Sequence, residues 1–372
     1  MKDQYTRRLQ KIEAELEKWL PQSPDSSWLE MVFGRFTQAV PAYPQGVVAP
    51  ELAASLVRPG WDLVNRGGKR WRPLLMVLAA ESIAGERGGD TALPLVPLVE
   101  FPHNASLIHD DIEDNSDERR GKPAVHLIYG TDTAINAGAF LYFLPLACLS
   151  AWAEGKSSGA FSPDLINRIW TVWGAHLRAL HLGQAMDIAW HRDFHSLPGL
   201  DEYDRMCRLK TGCLARLAAV LGVYCSGAGL DEAALKNLPE IFGNAAEQLG
   251  VGFQILDDVK NLDSGVPGKK QGDDIVEGKK SLPILLYLHR YPEKRDFAAR
   301  CFSAARSFGT GAPEVEELTG ALKQTGVLEE ARAKGMQYIR ESRGVFSAPE
   351  AAGFPLKQEG RELLAGLIDL IG

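Results

Sequence analysis

From Ala134 to Ala153 the chain carries no charged residue, and few folds can house such a segment. It is long enough to cross a bilayer, yet it includes Asn136, Gly138, Pro145 and Ser150 and is rich in alanine. A helix apolar on every side is also what the centre of a large soluble bundle needs. The rest of the chain agrees with the bundle, because period-two alternation is scarce and helical spacing is common. Helices are predicted over residues 1–20, Glu51–Val64, Pro73–Ile83, Ala92–Asp114, Thr131–Ala153, Pro163–Trp190, Leu200–Ser226, Asp231–Leu262 and Leu282–His289, with two or three more before Ile371. Short loops marked by Gly or Pro separate them. Pro21–Pro50 reads as a connector with a short helix around Trp28, Leu29, Val32 and Phe33. The expectation is an all-α protein without a membrane span, with residues 1–50 an N-terminal helix and connector packed on a domain of residues 51–372.

At 372 residues and 45% apolar content there is ample material for a large core. A formal charge of −7 argues against a nucleic-acid binder, which would usually show a basic stripe. Five cysteines form no CxxC pair, and an odd count is a poor disulfide framework. Buried thiols in a reducing cytosol are the economical reading. The N-terminal residues Met1–Arg8 lead into the charged, amphipathic Leu9–Leu20 and lack the apolar core of a signal peptide, so a cytoplasmic protein is expected.

The chemistry concentrates in His109–Gly121, which sets Asp110, Asp111, Asp114 and their neighbours against Arg119 and Arg120. A second acidic cluster, Asp257-Asp258-Val259-Lys260-Asn261, follows far downstream. Helical positions i and i+4 share a face, so Asp110 pairs with Asp114 and Asp257 with Asn261. The two faces are expected to look at each other across a cavity and to hold divalent metals. Basic counterparts are spread along the chain. Gly67-Gly68-Lys69-Arg70-Trp71-Arg72-Pro73 is a glycine turn delivering cations to the start of a helix at Pro73, where free N–H groups favour anions. Arg72, preceding proline, is expected outside the helical region. His103 lies seven residues before Asp110 on the same face, and Gln254 lies three before Asp257. Gln184 and Asp187 interrupt an apolar helix, and Lys210-Thr211 sits among core residues. Lys269, Lys270, Lys279 and Lys280 occupy a glycine-rich loop able to close over a phosphate. An acidic cluster alone is usually a solvated helix face, and a basic loop alone is usually soluble surface. Together they are harder to dismiss, since magnesium characteristically binds through one or two carboxylates plus substrate phosphates. Two anionic substrates follow, one held through metals and one by basic side chains alone.

This set, in this order, resembles the trans-isoprenyl diphosphate synthases of the polyprenyl synthetase family. The matching elements are Gly67–Arg70, Ser106–Asp114 with Arg119–Pro123, Lys210-Thr211, Phe253–Asp258 and Gly278-Lys279. The resemblance implies a single large helical bundle of the isoprenoid synthase type with a central substrate cavity, and a homodimer. It implies that Asp110, Asp111, Asp114, Asp257 and Asp258 bind several Mg2+ ions together with an allylic diphosphate (dimethylallyl, geranyl or farnesyl). Arg119, Lys210, Thr211, Gln254, Lys269 and Lys279 would contact that diphosphate, with Asp110, Asp114, Arg119, Lys210 and Asp257 as the catalytic set. Lys69, Arg72, His103 and Arg120 would hold isopentenyl diphosphate. Ionisation, condensation and proton elimination would follow, the released diphosphate serving as base. Ala105 and Ser106, both small, would admit a chain of geranylgeranyl length or longer, with Phe140, Tyr142 or Phe143 able to close a deeper floor. A class I terpene cyclase and a non-catalytic partner subunit are the rivals; the first lacks a reason for Gly67–Arg72, the second for two intact acidic motifs. Two departures stand out: Asn261 where relatives usually carry Asp, and Ala139 where they often carry an acid.

Overall fold

The computed structural model describes residues 2–33, 50–154, 162–227, 229–265 and 271–371. Its helices, in chain order, are α1 (Lys2–Trp19), α2 (Ser26–Phe33), α3 (Pro50–Asn65), α4 (Trp71–Ala84), α5 (Glu86–Ala92), α6 (Pro97–Glu113), α7 (Val125–Tyr129), α8 (Thr131–Glu154) and α9 (Pro163–Arg192). They continue as α10 (Leu200–Cys207), α11 (Cys213–Tyr224), α12 (Glu232–Asp263), α13 (Asp273–Glu277), α14 (Leu282–Arg290), α15 (Arg295–Phe308), α16 (Pro313–Gln324), α17 (Val327–Ser347) and α18 (Gln358–Ile371). The only sheet among the described residues is two short hairpins, β1–β2 (Glu118–Arg119, Lys122–Pro123) and β3–β4 (Glu350–Ala351, Phe354–Pro355). The all-α expectation holds. Residues 34–49 of the expected connector lie outside the described residues, whereas α2 within it buries Trp28, Leu29 and Val32. All five cysteines are buried and none is in a disulfide.

Contacts divide the chain into two compact units: Met1–Trp173 with Leu221–Leu235 and Pro355–Leu363, and Gly174–Val220 with Lys236–Phe354 and Leu364–Gly372. In the first unit α8 lies along α6, and 50% of its most apolar window is buried inside the protein. A helix that meets a protein neighbour along its length has no need of lipid on that face. Helix α1 buries Tyr5, Ile12, Leu16 and Trp19 at helical spacing and adds a bidentate ion pair from Arg8 to Glu81.

Helix α6 carries the first acidic motif, and its prolines explain its shape. Pro97 occupies the first turn, where a missing N–H costs nothing. Pro102 lies inside the helix and leaves the Leu98 carbonyl without its i+4 donor. The Trp173 indole N–H donates to that carbonyl at 3.0 Å, so the break is satisfied from α9. Trp173→Phe should therefore lower stability by about 1–3 kcal/mol, the cost of leaving a buried polar group unmade, read as a lower Tm with kcat retained.

The second unit packs two apolar clusters, one around Phe302, Tyr287, Leu318 and Leu328, the other around Tyr203, Val251, Ile255 and Leu285. Between α10 and α11 the chain winds as a π-helical turn, Arg208–Gly212. Such turns insert one residue and recur at functional sites. This one carries Lys210 and Thr211.

Candidate active site

Candidate site residues occur in each of the two units, and each group is described within its own unit. In the first, Gly67 and Gly68 both have positive φ (84° and 140°), and Arg70 itself is left-handed at φ 45°. Helix α4 consequently starts at Trp71, two residues before the expected Pro73, which falls in the first turn where its missing N–H still costs nothing. Arg72 is thus helical. It is buried, its guanidinium stacks 4.4 Å from the Trp71 ring centroid, and its Nη1 lies 3.4 Å from His103 Nε2 on α6. Lys69 is exposed at the turn. Arg70 does not join them. It turns inward to Glu13, Glu100 and the Val64 carbonyl.

The β1–β2 hairpin separates the arginine pair. Arg120 and Gly121 both have positive φ (55° and 74°), the requirement of a tight type I′ turn. Arg119 is sent to α6, where its Nε donates to Asp111 Oδ1 at 2.8 Å and its Nη2 reaches Asp111 and, at 3.4 Å, Asp110. Arg120 goes the other way, to the Leu63 carbonyl at 2.9 Å and Asn104 Oδ1 at 3.3 Å. A Cβ on Gly68 would sit 3.3 Å from the Arg120 guanidinium carbon, so glycine there leaves room for the charge. Arg72, His103 and Arg120 therefore share one cationic corner, and Lys69 stands on the glycine turn that leads into α4. Burial and four nearby arginines, Arg72 foremost, hold the His103 ring well below its usual range. Burial is also the main reason Arg120 drops to about 10, still charged at neutral pH.

The His103 shift has a measurable consequence. The unfolded chain takes up a proton near the usual histidine value of about 6.5 and the fold does not, so stability falls as pH drops through that value. His103→Gln should flatten this acid limb, with less loss of Tm between pH 7 and 5 than the unsubstituted protein shows.

Asp114 is the C-cap of α6, its backbone N–H donating to the Asp110 carbonyl at 2.8 Å, while Asp111 is fully buried against Arg119. Ala105 is also fully buried, and Ser106, partly exposed, donates its Oγ–H to the His103 carbonyl at 2.8 Å. Of the aromatic residues on α8, Tyr142 lies 5.7 Å from the His109 ring. Phe140 stacks on Phe33 of α2 at 6.1 Å, and Phe143 is 66% exposed, facing away from the core. Ala139, partly exposed on α8, has no structural account.

The second group is a chain of hydrogen bonds in the other unit. Thr211 Oγ1 donates to Gln254 Oε1 (2.8 Å), Gln254 Nε2 donates to Asp258 Oδ1 (2.7 Å), and the Tyr203 hydroxyl donates to Asp258 Oδ2 (2.9 Å). Asp258 is thereby a buried node, and burial raises its carboxyl to about 6, the adjacent Asp257 adding to the effect. Asp257 is partly exposed. Lys210 Nζ lies 2.6 Å from Asp187 Oδ2, and Lys279 pairs with Glu277. Lys269 lies outside the described residues. Asn261 is buried, and its Oδ1 accepts the Asp274 N–H at 3.2 Å, capping the first turn of α13. Its Nδ2 has no hydrogen-bond partner among the described residues.

Close backbone approach holds the π-helical turn. A Cβ on Gly183 would meet the Lys210 backbone nitrogen at 2.4 Å, and one on Gly250 would meet the Gly212 Cα at 2.8 Å. Gly183→Ala should push α9 off the turn and lower kcat/KM about 10²-fold, the scale for a displacement near 1 Å, checked by steady-state kinetics with a melting curve as control.

A polyprenyl synthetase family model matches residues 53–313. The chain belongs to the polyprenyl synthetase family. It is a trans-prenyltransferase, an enzyme of the isoprenyl diphosphate synthase class, and members of the family use isopentenyl diphosphate and an allylic diphosphate. Among its relatives, a geranylfarnesyl diphosphate synthase of Aeropyrum pernix is 30% identical over 311 residues, 83% of this chain and 91% of that protein. A geranylgeranyl diphosphate synthase of Methanosarcina mazei is 33% identical over 288 residues, 76% of this chain and 80% of that one. A polyprenyl synthase of Caulobacter crescentus, solved with calcium and isoprenyl diphosphate, superposes with a TM-score of 0.71 at 26% identity, covering 98% of this chain and 96% of that chain.

The synthase's donor set suits a hard cation. Its acidic motifs offer carboxylate oxygens, and no three His, Cys, Asp or Glu side chains among the described residues gather into a cage. Magnesium completed by waters and substrate phosphate needs no such cage.

Proposed function

We propose that this synthase elongates an allylic diphosphate with isopentenyl diphosphate to geranylgeranyl length or longer. The observation that carries the length is the pair of small residues, Ala105 and Ser106, on the turn of α6 preceding Asp110. Two relatives named for geranylgeranyl and geranylfarnesyl products support the reading. Asp110, Asp114 and Asp257 are proposed to serve magnesium directly. Asp111, held by Arg119, and Asp258, held by Gln254 and Tyr203, complete the set by fixing the charge and orientation of their neighbours. When bound, magnesium supplies Lewis-acid neutralisation of diphosphate oxygens.

Arg119, Lys210 and Lys279 donate to the departing diphosphate as negative charge builds on it, and Thr211 and Gln254 add hydrogen bonds; Lys269 belongs to this set by the family's motif. Donors aimed where charge develops are the largest lever for such an ionisation. Lys69, Arg72, His103 and Arg120 hold isopentenyl diphosphate beside the cation, so that its double bond is the nearest nucleophile. The proton lost after condensation passes to the released diphosphate, which explains a site without a triad. The exposed apolar side chains Leu127, Ile128, Ile135 and Phe143 on the neighbouring helices α7 and α8 support a homodimer. Purified enzyme, labelled isopentenyl diphosphate and each allylic primer with magnesium should yield products of geranylgeranyl length or longer. Arrest at farnesyl diphosphate with isopentenyl diphosphate in excess would refute the length.

A further inference from the structure

A continuous hydrogen-bonded network, buried along its middle, runs from the N-terminal helix to the cationic corner, and its middle residues are not among those proposed to touch substrate. Glu13 on α1 accepts from Arg70 Nε at 2.7 Å. Arg70 Nη1 donates to Glu100 Oε1 at 2.8 Å, and Asn104 Nδ2 donates to the same oxygen at 2.9 Å. Asn104 Oδ1 in turn accepts from Arg120 Nη1 at 3.3 Å. Glu100 and Asn104 are buried, at 2% and 0% exposure, and Arg70 at 5%.

Charge explains why the network is needed. Although their guanidinium groups take different partners, Arg66, Arg70, Arg72 and Arg119 each lie near enough to Arg120 or His103 to disfavour a positive charge there, and like charges repel more strongly as burial lowers the dielectric. Glu100 is the buried counter-charge common to Arg70 and Arg120, and it favours the charged form of both. Arg70, strained at positive φ, is the residue between Lys69 and Arg72. Holding its guanidinium therefore fixes the backbone on which both neighbours stand. Asn104 does the same for Arg120 by accepting from it while both its own N–H groups are bound, to Glu100 Oε1 and to the Glu100 carbonyl.

We propose that Glu100, with Asn104 and Arg70, is the positioning element of the isopentenyl diphosphate site, and that Glu13 extends this element to α1, making the N-terminal helix part of second-substrate recognition. The inference rests on the reading that Lys69, Arg72, His103 and Arg120 hold isopentenyl diphosphate. A positioning role predicts a substrate-selective defect: the second substrate is affected and the allylic diphosphate is not.

The test compares Glu100→Gln, Glu13→Gln and Arg120→Met in the full-length enzyme. It uses KM for each substrate, kcat, and calorimetric binding of isopentenyl diphosphate with chelator present. Glu100→Gln should raise the KM and Kd for isopentenyl diphosphate about tenfold, as when a charge-assisted contact is loosened, with KM for the allylic diphosphate unchanged. Glu13→Gln, at the half-exposed outer end, should give the same selective shift at smaller size, so the prediction survives if Glu100→Gln fails to fold. Arg120→Met with Glu100→Gln should be no worse for isopentenyl diphosphate binding than Arg120→Met alone. If Arg120→Met leaves isopentenyl diphosphate binding intact, the substrate assignment itself fails. If Arg120→Met weakens it while Glu100→Gln and Glu13→Gln do not, or if they weaken both substrates alike, the positioning role is overturned.

Discussion

Asp110→Ala should lower kcat by about 10²–10³-fold, the scale for removing one group that stabilises charge developing in a transition state. Stability should hold, because Asp110 is partly exposed and Arg119, 3.4 Å from it, keeps its ion pair with Asp111 when Asp110 is removed. The KM for isopentenyl diphosphate should stay unchanged, since Lys69 and the cationic corner of Arg72, His103 and Arg120 are untouched. A fall in Tm matching the fall in rate would make Asp110 structural instead. Excess magnesium should not restore the rate, because the missing ligand lowers transition-state stabilisation as well as metal affinity.

The second large effect concerns product length. Ser106 is one helical turn before Asp110 on the same face of α6 and is partly exposed, so phenylalanine there enters open space. Ser106→Phe should shorten the main product by at least one isoprene unit, read by chromatography of the hydrolysed products. Ala105→Phe should shorten it too, at a cost of about 1–3 kcal/mol from overpacking, because Ala105 is fully buried. An unchanged distribution in both would place the floor elsewhere, with Tyr142 beside His109 the next position to vary.

Much of this was legible from residue order because the fold is local. Helical periodicity located α8, α9 and α12 closely, while α6 begins at Pro97, five residues after the expected Ala92, because Pro94 and Pro97 mark a break before it. What escaped depends on backbone conformations and distant partners. Arg70 sits among the cations of Gly67–Pro73, and only its left-handed φ and its partners Glu13 and Glu100 show that it faces the core. The Arg120-Gly121 turn that parts the two arginines has no strand pattern long enough to signal a hairpin. A π-helical turn around Lys210 leaves no mark in apolar spacing either, although Gly183 and Gly250 hint at the close approach it needs. Asn261 was readable as a departure from its relatives but not as the cap of α13, since its partner Asp274 lies beyond a glycine-rich loop.

The central claim is that one diphosphate is held by basic side chains alone and the other through magnesium. Calorimetric titration of the enzyme with each substrate, first with chelator and then with magnesium, separates the two. The account predicts saturable isopentenyl diphosphate binding in chelator and allylic diphosphate binding that tightens at least about tenfold once magnesium is added. Equal magnesium dependence for both substrates would contradict it.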